Sequence, residues 1–175
     1  MPVVDSSPLI YLAKVGKLSL LKELYGSLKL PKSVYNEVVE VGERKGFEDA
    51  IKIKQEIGRF LFVHEPERAT LDEVVKLLKK SGFRLGRGEI ECVALCLDVK
   101  DRIFLSDDED AKKFAKVYGI DGRGTIYILL KSFKEGYMSK GECIETFERI
   151  VENGLWVNAE VVSLFYKTLE RLSFD

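Results

Sequence analysis

The sequence predicts an α/β domain with a mainly parallel central sheet, on three observations. Short β-branched or aliphatic runs alternate with stretches of helical apolar spacing along the chain. Residues 90–97 are apolar almost all round, which marks a buried helix rather than an amphipathic surface one. The 175 residues contain no internal repeat, low-complexity tract or Pro/Gly-rich linker, so residues 1–175 are expected to form a single domain.

Each element has its own signal. Val3-Val4 form a β-branched run that ends at Asp5, and residues 8–15 and 18–25 then carry helical spacing, separated by Gly16. Residues 28–30 read as the second strand. Pro31, with its fixed φ and missing N–H, suits the first position of a following helix that holds Val34, Val38 and Val39. After a charged helical stretch, residues 60–63 read as another strand with no signal for its place in the sheet. Residues 70–80 read as a helix with Thr70 as candidate N-cap. Ile103, Phe104 and Leu105 form a strand that ends at Ser106-Asp107-Asp108. Residues 111–118 and 126–133 are helical, joined through Gly122-Arg123-Gly124-Thr125. Ser139 and Glu142 make a capping-box pair, and Val162, Phe165, Leu169 and Leu172 recur at helical intervals in the tail.

Composition excludes several classes. With 28 basic against 29 acidic residues, a strongly basic nucleic-acid arm is not expected, although a local basic patch is compatible with a net charge of -1. Three cysteines without framework spacing argue against a secreted disulfide scaffold. MPVVDSSP has no basic n-region, and no apolar stretch approaches the roughly 18 residues of a membrane span. A cytoplasmic protein without membrane attachment is therefore expected. The scarcity of Gln and Asn beside abundant Lys and Glu resembles a thermophile's composition. With His64 as the only histidine, a His-rich zinc site is excluded and a Ser-His triad is not expected.

Ligands of parallel α/β sheets sit beyond the carboxyl ends of the strands, and there the acids gather. Asp5 ends one strand, and Asp107 and Asp108 end another. Glu37 follows the second strand within SVYNEVVE, and Glu89 begins the buried helix of GRGEIECVALCL. A helix starting near Gly88 puts Glu89 on one face with Cys92, Val93 and Cys96, whereas Glu91 points elsewhere. Mutually repelling carboxylates are most simply compensated by a hard divalent cation, and Mg²⁺ favours such oxygen ligands. Each acid also has a plainer use: Asp5, Asp107, Asp108 and Asp110 precede helices as caps or dipole partners, Glu37 as a solvated residue, and Glu89 at its own helix terminus. Spacing alone leaves both readings open.

The ordered set VVDSSPLIYLAKVG, LPKSVYNEVV, LGRGEIECVALCL, IFLSDDEDAKKFAKVYGI and GRGTIYILLKSFKEG resembles the PIN-domain family over nearly the whole chain. The resemblance is narrower still to its prokaryotic branch with a D-[ST]-[ST]-P-L-I opening, a central G-E-x-E and a D-D pair, a branch related to toxin–antitoxin ribonucleases. It implies a three-layer α/β/α fold, with residues 1–137 as core and 138–175 as a helical extension packed on it. It also implies a Mg²⁺- or Mn²⁺-dependent nuclease site acting on RNA. By position, Asp5, Glu37 and Glu89 match the family's first three acids, with Glu89 standing where many relatives have Asp. Asp108 matches the fourth, with Asp107 as alternative and Asp110 as an outer ligand. Ser7 and Thr125 match supporting positions. An antitoxin partner and a homodimer are further implications.

Other residues carry weaker expectations. Arg84, Arg87 and Arg123 lie near the predicted site loops and can contact RNA phosphates, or simply face solvent. Lys112, Lys113 and Lys116 read as a solvated helix face, and Cys92 and Cys96 as small core hydrophobes. Trp156, Phe165 and Tyr166 can stack on bases, with packing in the domain or against a second subunit the plainer use. The leading expectation is a metal-dependent ribonuclease. A non-catalytic RNA-binding module of the same fold comes second, and a small-molecule phosphatase third.

Overall fold

Among the described residues, five short strands form one sheet in the order β3-β2-β1-β4-β5. They are β1 (Val3–Val4), β2 (Leu28–Leu30), β3 (Leu61–Val63), β4 (Ile103–Leu105) and β5 (Asp121–Arg123). The structure is a computed structural model and describes residues 1–173. Every neighbouring pair is parallel, with Val3 opposite Lys29 on one side and Phe104 on the other. The chain builds outward from β1 to β3 and then crosses back to β4. The gap between β1 and β4 is therefore a topological switch point, where the connections leave in opposite directions and open a crevice.

Helices cover both faces in a three-layer α/β/α arrangement. On one face α7 (Arg87–Asp98) packs on β1 and β4, flanked by α6 (Arg68–Ser81) and α8 (Glu109–Val117). Its Cys92, Val93, Ala94 and Cys96 are essentially inaccessible, as the all-round apolar pattern requires. On the other side α1 (Ser6–Lys14), α2 (Ser19–Tyr25), α9 (Thr125–Lys134) and α10 (Lys140–Glu152) pack together, and α11 (Ala159–Leu172) rests on α9. Among the described residues no helix is long and apolar enough to cross a membrane.

Local departures have physical reasons. Residues 121–123 form a strand although Asp-Gly-Arg has no β-branched or aromatic residue. The edge strand is held by backbone bonds from Asp121 to Arg102 (2.6 Å) and from Ser106 to Arg123 (2.9 Å). Glycine at 122 is required there, because a Cβ would stand 2.5 Å from Lys112 Cγ of α8. Pro31 is the N-cap of α3 (Lys32–Tyr35) rather than its first helical residue. Thr70 lies inside α6, whose N-cap position is held by Glu67 without a side-chain cap bond, and donates instead to Asp98 at 2.5 Å. After α3 the helix widens into a π segment, Asn36–Val41, before α4 (Gly42–Arg44) and α5 (Glu48–Glu56). Such segments recur at functional sites, and this one carries Glu37.

The tail's apolar stripe is used within the chain. Phe165 and Leu169 are buried, Val162 and Leu172 half-buried, and Phe165 stacks on Phe147 of α10 at 4.0 Å between ring centroids. Ser139 and Glu142 form the expected capping box, and Asn158 caps α11 by accepting from the Val161 N–H at 2.8 Å.

Candidate active site

The crevice at the switch point is a cleft of about 530 Å³ whose wall includes Asp5, Glu37, Glu89, Asp107 and Asp108. The acids arrive from four places in the chain. Asp5 follows β1, Glu37 lies in the π segment, Glu89 stands in the first turn of α7, and Asp107 and Asp108 follow β4. Among the described residues none of the five forms an ion pair with Lys, Arg or His. Glu91, two positions beyond Glu89, is the contrast: it is buried and pairs with Arg87 at 2.6 Å.

Hydroxyl groups set the acids in place. Ser6 Oγ donates to Glu37 at 2.8 Å, and the Asp107 N–H donates to Ser7 Oγ at 3.1 Å. The two serines after Asp5 thus tie its loop to two other acids. Ser106, fully buried, donates to Asp5 at 3.0 Å and accepts from the Asp108 N–H at 3.2 Å. Asp107 is gripped by Thr125, whose N–H and hydroxyl donate to its two carboxylate oxygens at 2.7 and 2.6 Å. That grip needs glycine at 124, where a Cβ would stand 2.8 Å from Asp107 Oδ1.

The plain reading of these acids holds for some and fails for others. Asp5 occupies the N-cap position of α1 but makes no side-chain cap bond there. Asp108 does cap α8, accepting from the Ala111 N–H at 2.6 Å, while still facing the cleft. Asp110 is exposed and does not line the cleft. None of Arg84, Arg87 and Arg123 lines it either: Arg87 is engaged by Glu91, and Arg123 pairs with Asp121 at 2.7 Å and lies over the Tyr127 ring.

Asp5 has an unusual environment for a carboxylate. It is 5% exposed, and burial pushes its pKa from 3.8 up to about 7. Hydrogen bonds from Ser6 and Ser106 pull it partly back, and the charges of Glu89 and Glu37 push it further up. These oxygen donors fit a hard divalent cation chemically, because a positive charge placed among them relieves both repulsion and burial. Among the described residues, however, no three acids already stand as a closed metal cage. Glu37 is exposed and Glu89 half-buried, so both side chains remain accessible.

Sequence patterns alone passed over two features. Ser106 sat between a strand and an acid pair, where the acids drew the eye. The Asn153–Trp156 turn reaches over the cleft from the C-terminal helices, anchored by the Tyr11 hydroxyl donating to the Gly154 carbonyl at 3.2 Å. Its only advance signal was a lone tryptophan between two helices.

The DUF3368 family model, described as a PIN domain, matches residues 1–171. Eight solved chains match in structure. One is VapC20 of Mycobacterium tuberculosis, described as a sarcin-ricin loop cleaving toxin, at 14% identity and a TM-score of 0.52. The match covers 69% of this chain and 96% of that one, which is a likeness of fold. No curated protein matches the sequence.

Proposed function

The chain belongs to the PIN-domain family, and from that premise we propose that it is a metal-dependent ribonuclease of the toxin type. One observation carries the reading. Five carboxylates from four places in the chain line a single cleft at the switch point, with no cationic partner among the described residues. Glu91, by contrast, is paired with Arg87, and the cap bond of Asp108 and the Thr125 grip on Asp107 bring no positive charge to the cleft.

In this reading Asp5, Glu37, Glu89 and Asp108 hold Mg²⁺ or Mn²⁺, with Asp107 as a fifth donor and Asp110 outside. When bound, such an ion would supply positive charge for the scissile phosphate and lower the pKa of a coordinated water. Asp5 is the central ligand, since its buried carboxyl gains most from a cation, and Ser106 keeps one oxygen oriented. Ser6 holds Glu37 within reach, and Ser7 and Thr125 fix Asp107, so that the oxygens are aimed before substrate arrives. Residues 1–137 form the catalytic core in this scheme, and the described part of the 138–175 extension, residues 138–173, closes its side. An antitoxin that covers the cleft is the partner a nuclease of this type calls for.

The test is cleavage of single-stranded RNA, and of a sarcin-ricin loop hairpin, with Mn²⁺ or with EDTA. Cleavage is expected with metal only, and Asp5→Asn is expected to lower it by about 10²-fold or more. Cleavage that is unchanged in Asp5→Asn would overturn the mechanism.

A second reading rests on the inward hydrogen bonds of Asp107 and Asp108 and on the lack of a ready cage among the described residues. It makes the protein an RNA-binding module without turnover. RNA retained by the protein and left intact across several metals supports it.

A further inference from the structure

Trp156 is the chain's only tryptophan and is 83% exposed. An indole left in water forgoes the burial that most tryptophans obtain. It borders the carboxylate cleft on one side and, on the other, a second cleft of about 430 Å³ that also includes Asp107, Gly124 and Tyr127. The second cleft shares Glu109 and Lys112 with a third, of about 580 Å³, which runs along α8 past Lys113 and Lys116. The three clefts are therefore consecutive, with the indole between the first and second.

Charge changes sign along this path. Within the α8 groove Glu109 is taken up by Lys112 at 2.6 Å, and Asp121 by Arg123 at 2.7 Å. Lys113 and Lys116 are exposed and make no ion pair among the described residues, so the groove's far end carries net positive charge. The path thus runs from a carboxylate cluster, which needs a cation, past an aromatic plate to uncompensated ammonium groups. A polyanion with flat rings matches that order of chemistry, whereas an apolar protein partner would leave the lysines unpaired.

We propose that Trp156 and the α8 lysines form the track for one flank of a single-stranded RNA. A base next to the scissile phosphate stacks on the indole, and the following phosphates lie against Lys113 and Lys116. The strand must be single, because a base exposes its face to an indole only when it is unstacked. The track rests on the nuclease reading of the carboxylate cleft and assigns that site its substrate class.

The lone tryptophan makes the test local. The full chain in EDTA is titrated with a short oligouridylate and with an RNA duplex of equal length while Trp156 emission is followed. Saturable quenching is expected with the single strand and little with the duplex. Labelled-RNA anisotropy is expected to show Trp156→Ala binding about 5- to 150-fold more weakly, from the stacking free energy of one base, with Trp156→Phe recovering much of the loss. The Lys113→Gln/Lys116→Gln double variant is expected to reduce the steepness of log K against log salt by about 1.4, for two single-strand phosphate contacts. Equal affinity of wild type and Trp156→Ala overturns the track. So does emission that shifts with protein concentration in the absence of RNA, because the indole then serves self-association. Cleavage with Mn²⁺ but no quenching in EDTA removes the track and leaves the nuclease. Quenching without cleavage in any metal keeps the track and removes the nuclease.

Discussion

Around Phe147 and Phe165, helix starts are capped by Ser139 and Asn158, and the aromatic rings lie flat on one another in the interior. Around Asp5, carboxylates line a common cleft, and burial raises the pKa of the most buried of them to about 7. The two regions are joined, since the turn after α10 reaches the cleft through Tyr11 and Gly154. In the first region every local preference agrees with the fold. In the second the fold holds an arrangement that local energetics oppose, which is how a binding site differs from scaffold. The most direct way to break this contrast is to find stability where function is assigned, or the reverse.

The largest stability loss is expected from Phe165→Ala. Removing a ring that is 1% exposed and stacked at 4.0 Å leaves a cavity and costs about 3–5 kcal/mol, read as a fall in the urea midpoint without a change in slope. A comparable loss from Asp5→Asn would erase the distinction between the regions.

Asp5→Asn is expected to act in the opposite direction in metal-free protein. The folded-state pKa of Asp5 is about 7 against 3.8 for the free group, so between these values the folded protein keeps a proton that the unfolded chain releases. Wild-type stability therefore falls as pH rises from about 4 to about 7 and levels off above, at about 1.4 kcal/mol per unit of raised pKa. The variant lacks this slope. It is expected to be more stable than wild type by a few kcal/mol near pH 8 and no more stable near pH 4. Added Mn²⁺ is expected to raise wild type and not the variant, by binding linkage. Parallel stability curves for the two proteins across that range would show that Asp5 is not strained.

These outcomes bear on what the sequence could reveal. Val3-Val4 and Ile103 to Leu105 were legible as strands because central strands covered on both faces must be apolar, and Leu28 and Leu30 because both are buried on either side of the half-buried Lys29. Residues 121–123 were not, because an edge strand held by its neighbour's backbone and by α8 needs no side-chain signal. Glu37 and Glu89 could be nominated but not placed, since their meeting depends on the π segment and on how α7 crosses the sheet. The roles of Asp107 and Asp108 were open for a similar reason. Only the structure separates a carboxylate gripped by Thr125 from one spent on Ala111. The fit of Trp156 to the cleft depends on a turn closed by residues more than a hundred positions apart.

Gly124→Ala sharpens the contrast at a single atom. The new Cβ would fall 2.8 Å from Asp107 Oδ1, so either the carboxylate or the backbone must move and the Thr125 N–H loses its acceptor. A stability cost of about 1–2 kcal/mol is expected. Cleavage per folded molecule should fall much further, because Asp107 leaves its place in the cleft. Loss of stability with full activity would make Asp107 a structural acid.

Ser139→Ala is the smallest change and the cleanest scaffold control. The serine accepts from the Glu142 N–H at 3.2 Å, and Glu142 accepts in return from the Ser139 N–H at 2.9 Å. Losing the hydroxyl is expected to cost about 1 kcal/mol and to leave cleavage untouched. The returned bond from the Ser139 backbone is the first cause of Glu142's pKa lying below its ordinary 4.5, followed by the serine hydroxyl and Lys17. A carboxylate with a lowered folded-state value stabilises above 4.5, and the contribution fades as pH falls through that folded-state value. Ser139→Ala keeps the backbone bond and removes only the hydroxyl's share of that shift, so its penalty is expected to be full at neutral pH and to shrink slightly in acid, where Glu142 takes up its proton, with the lost cap bond to the Glu142 N–H remaining. That direction is opposite to the one at Asp5, whose destabilisation is relieved by proton uptake as pH falls. Stability curves of the two single variants between about pH 3 and pH 8 should consequently bend in opposite senses relative to wild type, and a common bend would mean that cap and cleft are not the separate environments their geometry describes.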